Sequence, residues 1–134
     1  MTKNIHKIIF TILILSLLVL TGCGEKDYYT IEADGSFTVE ECTERGLNDK
    51  VIMLESKYCH ACKEALPLFI SACAETGVEP LILDLSINEH RTQMESYDLS
   101  IQYTPTYIFG CDYYVGGGKT KEEYIELINN MQNE

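Results

Sequence analysis

The run Val51 to Leu54 in "KVIMLES" contains no polar residue until Glu55. A strand with one face in water alternates apolar and polar side chains, so an unbroken short run reads as a strand buried on both faces. A strand of that kind needs a layer above it and another below. "PLILDL", Pro80 to Leu85, repeats the signal. Between the two runs, from Cys59 to about Thr76, apolar positions Cys62, Leu66, Phe69, Ile70 and Cys73 recur at spacings of three and four. This marks a helix with one buried stripe, which Gly77 ends.

The remaining segments fit around that unit. Tyr28 to Ala33 reads as an edge strand, and Thr38 with Glu41 forms a capping-box pattern opening a short helix, Val39 to Arg45, that stops at Gly46. "INEHRTQMESYDL", Ile87 to Leu99, reads as a polar connecting helix. "TPTYIFG" and "DYYVGG" read as two strands around a tight turn near Gly110 to Asp112. Lys121 to Met131 closes the chain as a helix whose broad apolar face holds Tyr124, Ile125, Leu127 and Ile128. Strands alternating with helices and then a hairpin imply an α/β domain over residues 28–134, a central mixed sheet with helices on both faces. No internal repeat or low-complexity segment interrupts it.

Ahead of this domain, Lys3 and Lys7 precede an apolar run from Ile8 to Leu20 broken only by Thr11 and Ser16. The run is shorter than the roughly 20 residues of a membrane span and has a signal-peptide layout. It ends in "LTGC", Leu20 to Cys23, which resembles the bacterial lipobox, where cleavage leaves the cysteine first and lipid-modified. Residues 1–22 are thus expected to be a leader, Cys23 the lipidated anchor of a short tether over residues 23–27, and the domain extracytoplasmic, held at the membrane by lipid. In that setting disulfides persist. Removing residues 1–22 takes away two of the ten basic residues and none of the 21 acidic ones, so the net charge goes from −11 to −13. Such a surface is a poor partner for nucleic acid.

"YCHACKEALP" places Cys59 and Cys62 three apart at the start of the long helix. A thiol attacks a disulfide only as thiolate, and a helix N-terminus supplies unpaired N–H groups and a positive dipole end that favour S⁻. Cys59 therefore reads as the nucleophile and Cys62, one turn deeper, as the resolving thiol. Lys57 and His60 add positive charge beside Cys59 if His60 is protonated; otherwise His60 is an exposed spacer. A zinc site needs a second pair of ligands at comparable spacing, and Cys42, Cys73, Cys111 and His90 are each isolated in the sequence. No metal is expected. Cys73 falls on the buried stripe and reads first as a core cysteine; a Cys73 to Cys111 bridge is the alternative, with Cys42 competing for either partner. "GGGKT", Gly116 to Thr120, lacks the glycine a phosphate loop requires, since Tyr113 stands at that position.

With "CHAC" opening the helix after the second strand, Lys63 and Pro67 following it, "YTPT" placing Thr104-Pro105 just before a strand, and "VGG" at Val115 to Gly117 ending the last one, residues 28–134 resemble the thioredoxin fold. Three positions depart from that pattern. Tyr58 replaces the usual Trp, His60-Ala61 replaces Gly-Pro, and Met53 stands where a buried acid is expected. Glu55, two residues on and therefore on the same strand face as Met53, either takes over part of the proton handling or is a solvated strand-end carboxylate.

The resemblance implies a thiol-disulfide oxidoreductase, with reduction or general exchange favoured over oxidation. It would be a monomer with no cofactor beyond its own Cys59-Cys62 disulfide, acting on cysteine-containing proteins and re-set by a redox partner. It further implies a cis Pro105 that presents the Thr104 backbone to substrate beside Tyr58. The alternative is a non-catalytic binding or secretion-accessory lipoprotein on the same scaffold. The leader reading has a direct test: mass spectrometry of the protein from its host should find a chain starting at Cys23 with a diacylglyceryl adduct, and a chain starting upstream contradicts it.

Overall fold

The structure, a computed structural model, describes Gly24 and residues 26–133. The expected leader, residues 1–22, and the expected lipid site Cys23 lie outside the described residues. The elements in order are β1 Tyr29–Ile31, β2 Gly35–Ser36, α1 Val39–Arg45, β3 Val51–Glu55, α2 His60–Thr76, β4 Leu81–Asp84, α3 Asn88–Glu95, β5 Leu99–Ile101, β6 Thr106–Phe109, β7 Asp112–Val115 and α4 Lys121–Gln132. Five strands form one mixed sheet in the order β2-β7-β6-β3-β4. β3 runs parallel to β4 and antiparallel to β6, which places the double-sided apolar run at the interior of the sheet. β1 and β5 form a separate parallel ladder.

Alternation along β3 divides the core in two. Ile52 and Leu54 pack on one face with Cys42 of α1, Met94 of α3, Leu83, Ile108 and Tyr113. Val51 and Met53 pack on the other with Cys62, Phe69 and Cys73 of α2, Tyr107, Phe109, and Tyr124 and Ile128 of α4. Helices thus cover both faces, and the architecture is a thioredoxin-like α/β fold. Inside the second layer the Tyr124 hydroxyl donates to the Tyr107 hydroxyl at 2.7 Å, so these buried hydroxyls partner each other.

Local chemistry fixes the helix ends. Thr38 and Glu41 form the capping box of α1, and Gly46 closes it in the left-handed region at φ 70°. Thr120 and Glu123 form a second box at α4 that the sequence reading did not identify. Gly77 ends α2 at φ 72°.

Several expectations are corrected. The buried stripe of α2 is Cys62, Ala65, Phe69, Ala72 and Cys73; Leu66 is half-buried and Ile70 is exposed. The small alanines sit on the seam against the sheet, and the larger neighbours flank it. The connecting helix stops at Glu95, because Asp98 turns left-handed at φ 55° and Leu99–Ile101 becomes a strand. The N-terminal strand is shorter than expected and pairs with that new strand. β2, two residues long, carries no periodicity to read.

Cys73 is the core cysteine of the first reading, and the bridge is Cys42–Cys111, Cα atoms 5.3 Å apart, in place of the alternative Cys73 to Cys111. The sheet separates those two: Cys111 packs against the α1 side, and Cys73 is a buried free thiol on the α2 side. Cys42–Cys111 spans 69 positions of sequence and ties α1 to the β6–β7 turn. Closing a loop of that length is worth about 4 kcal/mol in the chain-entropy account. The double variant Cys42→Ala/Cys111→Ala should therefore lose stability of that order in urea unfolding, with Cys59–Cys62 still closed.

Candidate active site

β3 carries the chain out of the core at Glu55, and a tight turn delivers it to α2. The Cys59 N–H donates to the Ser56 carbonyl at 2.9 Å and the Tyr58 N–H to Ser56 Oγ at 3.3 Å. Cys59 is then the N-cap of α2, with extended backbone at φ −85° and ψ 112°. Its Sγ occupies the place a Ser or Asp oxygen normally takes, accepting the Cys62 N–H at 3.1 Å. Cys59 and Cys62 form a disulfide with Cα atoms 5.2 Å apart. Cys62 is fully buried and Cys59 partly exposed, so only one sulfur of the pair meets solvent.

Two further segments close on this bond. Thr104-Pro105 is cis, Pro105 is buried, and the Thr104 carbonyl oxygen lies 3.4 Å from Cys59 Sγ. In the disulfide there is no S–H to donate; in the dithiol a Cys59 S–H would point at that oxygen. The Thr106 hydroxyl donates to the Tyr103 carbonyl at 2.7 Å, and the Gly116 N–H donates to the Pro105 carbonyl at 2.8 Å. Gly117 then lies against Ala61 inside the motif, where a Cβ would stand 3.2 Å from the Ala61 Cβ. A side chain at residue 117 would press directly on the motif. Tyr58 and Tyr103, 80% and 54% exposed, stand on the two segments that meet at the disulfide.

The sequence-predicted residues fall into three groups. Cys59, Cys62, Thr104 and Pro105 are brought together, with Tyr58 beside them. His60 is exposed, and its Nε2 lies 3.4 Å from the Glu64 carboxylate one turn on. Lys57 is exposed with its Nζ 5.0 Å from the Tyr58 ring centroid. Glu55 is partly buried at the end of β3, and burial, followed by the charge of Asp84, raises its pKa above the usual carboxylate range. Asp84 itself did not emerge from the sequence. Its carboxylate accepts the Ser86 N–H at 2.9 Å, the Ser86 hydroxyl at 2.6 Å and the Lys57 N–H at 3.3 Å. The readable signal was that both double-sided apolar runs meet an acid, at Glu55 and at Asp84.

Among the described residues no three His, Cys, Asp or Glu side chains converge to hold a metal, and no described helix is long and apolar enough to cross a membrane. No family model matches the chain, and no curated protein matches it. The geometry alone therefore carries the chemistry: a close cysteine pair, one sulfur accessible and one shielded, compatible with redox exchange. After reduction, iodoacetamide should alkylate Cys59 at lower pH than Cys62. Cys73, 1% exposed and with its thiol pushed up to about 11 by burial, should stay unlabelled until the protein unfolds. Peptide mapping reads all three, and Cys62 labelling first contradicts the assignment.

Proposed function

We propose that the chain is an extracytoplasmic member of the thioredoxin superfamily, tethered by lipid at Cys23, that exchanges disulfides with cysteine-containing protein substrates. The observation that carries this reading is Cys59 Sγ at the N-cap of α2, 3.1 Å from the Cys62 N–H and 3.4 Å from the carbonyl before a cis-proline. The Cys42–Cys111 bridge supports an oxidising address.

In the reductive direction, Cys59 as thiolate attacks a substrate disulfide, forms a mixed disulfide and releases one substrate thiolate. Cys62 gives up its proton, attacks Cys59 Sγ and releases the second. Two electrons pass to the substrate, and Cys59–Cys62 closes. A dithiol partner reopens it by the reverse steps. The Cys62 N–H stabilises charge on Cys59 in both directions, and Lys57 adds positive charge nearby, joined by His60 when its ring is protonated. Thr104, Pro105 and Tyr58 form the surface against which the substrate chain lies. Glu55 receives the Cys62 proton. Only β4, α3 and β5 lie between α2 and β6, and the absence of a larger helical insert there favours reduction or general exchange over oxidation.

Insulin reduction driven by dithiothreitol tests the reading. The wild type should accelerate precipitation of the insulin B chain, and Cys59→Ser should fall to the uncatalysed rate. Equal rates for the two proteins leave the scaffold as a non-catalytic binding lipoprotein.

A further inference from the structure

Glu55 and Asp84 are the last register pair of the parallel strands β3 and β4. They continue the strand face of Met53 and Ile82, the face that packs with Cys62. Two carboxylates therefore stand side by side on the sheet edge that delivers the cysteine motif, and their surroundings differ sharply. Asp84 accepts three hydrogen bonds, from the Ser86 N–H, the Ser86 hydroxyl and the Lys57 N–H, and these, led by the Ser86 hydroxyl, hold it below the usual carboxylate range. No hydrogen bond reaches the Glu55 carboxylate among the described residues, and burial and the Asp84 charge raise it. A pair of titratable groups pushed in opposite directions divides into a fixed charge and a proton carrier.

We propose that Asp84 is a positioning residue for the Cys59–Cys62 chemistry: its carboxylate latches the Lys57 amide, two residues before Cys59, and stands as an anion in register with Glu55, adding to burial in fitting Glu55 to accept the Cys62 proton. This rests on the oxidoreductase reading and extends it. A carboxylate at its ordinary strength is a weak base toward a thiol of pKa about 8.5, and a neighbouring anion narrows that gap. The groups acting on Glu55 are Asp84 from β4 and His90 from α3, which opposes the rise. His90 Nδ1 accepts the Asp84 N–H at 3.0 Å. Lys57 acts on Asp84 from the loop.

With glutathione disulfide as oxidant the step balances as follows. The Cys59 thiolate takes one glutathionyl sulfur and releases one glutathione thiolate. The Cys62 S–H proton moves to Glu55, the Cys62 thiolate displaces the second glutathione thiolate from Cys59, and the proton on Glu55 leaves with it. The protein loses two electrons and one glutathione disulfide becomes two glutathiones.

The experiment is single-turnover closure of the reduced protein from pH 4 to 9, acid-quenched and alkylated, at glutathione disulfide concentrations where the rate no longer depends on oxidant. Closure needs Glu55 ionised, so its rate should rise with pH through the Glu55 titration. Asp84→Asn keeps an oxygen for Lys57 and Ser86 but removes the charge, and should move that rise down by about half to one pH unit. Asp84→Glu restores the charge and should return it. Glu55→Gln should abolish the rise and slow closure about 10²-fold at neutral pH, and Asp84→Asn in that background should move nothing further. Uniform slowing by Asp84→Asn with no movement of the rise, or the same movement without Glu55, overturns the proposal and leaves the oxidoreductase reading intact. Wild-type protein that stays glutathionylated at Cys59 and never closes overturns both.

Discussion

The described residues are arranged around β3, whose run from Val51 to Leu54 is closed to water. Val51 to Leu54 are each at most 3% exposed, and β3 is hydrogen-bonded on both edges and packed on both faces. Each apolar side chain so buried contributes on the order of 1.5 to 3 kcal/mol. The larger consequence is geometric. A strand held on four sides has no freedom at its end, and the motif begins four residues past Glu55, after one hydrogen-bonded turn. The rigidity that positions Cys59 is therefore the rigidity of the core itself.

The two disulfides sit in opposite surroundings. Cys42–Cys111 joins residues far apart in sequence, with Cys42 fully buried, and works by limiting the unfolded chain. Cys59–Cys62 closes a loop too short for much of that entropy, at a helix end whose N–H groups stabilise the open thiolate form. A bond whose reduced state is favoured by its surroundings is suited to turnover. Cys73, buried and with its thiol raised by desolvation, takes no part in either. Gly117 adds a steric condition, because its bare Cα is what lets the last loop lie against Ala61.

The central elements were legible because their signals are strong and local. An unbroken apolar run, a capping box and a glycine stop each have one physical meaning, and β3, α1, α2 and α4 follow from them. The edge elements were not. β5 hides behind a polar helix whose end depends on Asp98 turning left-handed, and β1 and β2 are too short to carry a period. The Cys42–Cys111 pairing could not be read either, since it depends on which side of the sheet each cysteine occupies. In the site, Cys59 and Cys62 were evident from spacing, and Thr104-Pro105 from resemblance. Asp84 was missed because the role proposed for it comes from register with Glu55 across two strands, a relation that no single stretch of sequence contains.

The account stands on the claim that Cys59–Cys62 is poised to open and close while Cys42–Cys111 holds the fold. Equilibrating the protein in glutathione buffers of graded reduction potential, followed by acid quench, alkylation and peptide mapping, measures both bonds in one sample. The account predicts that Cys59–Cys62 opens at a clearly less reducing potential than Cys42–Cys111, reversibly and with the fold intact. If the two open together, or Cys42–Cys111 opens first, Cys59–Cys62 is a structural bridge and the functional claim fails.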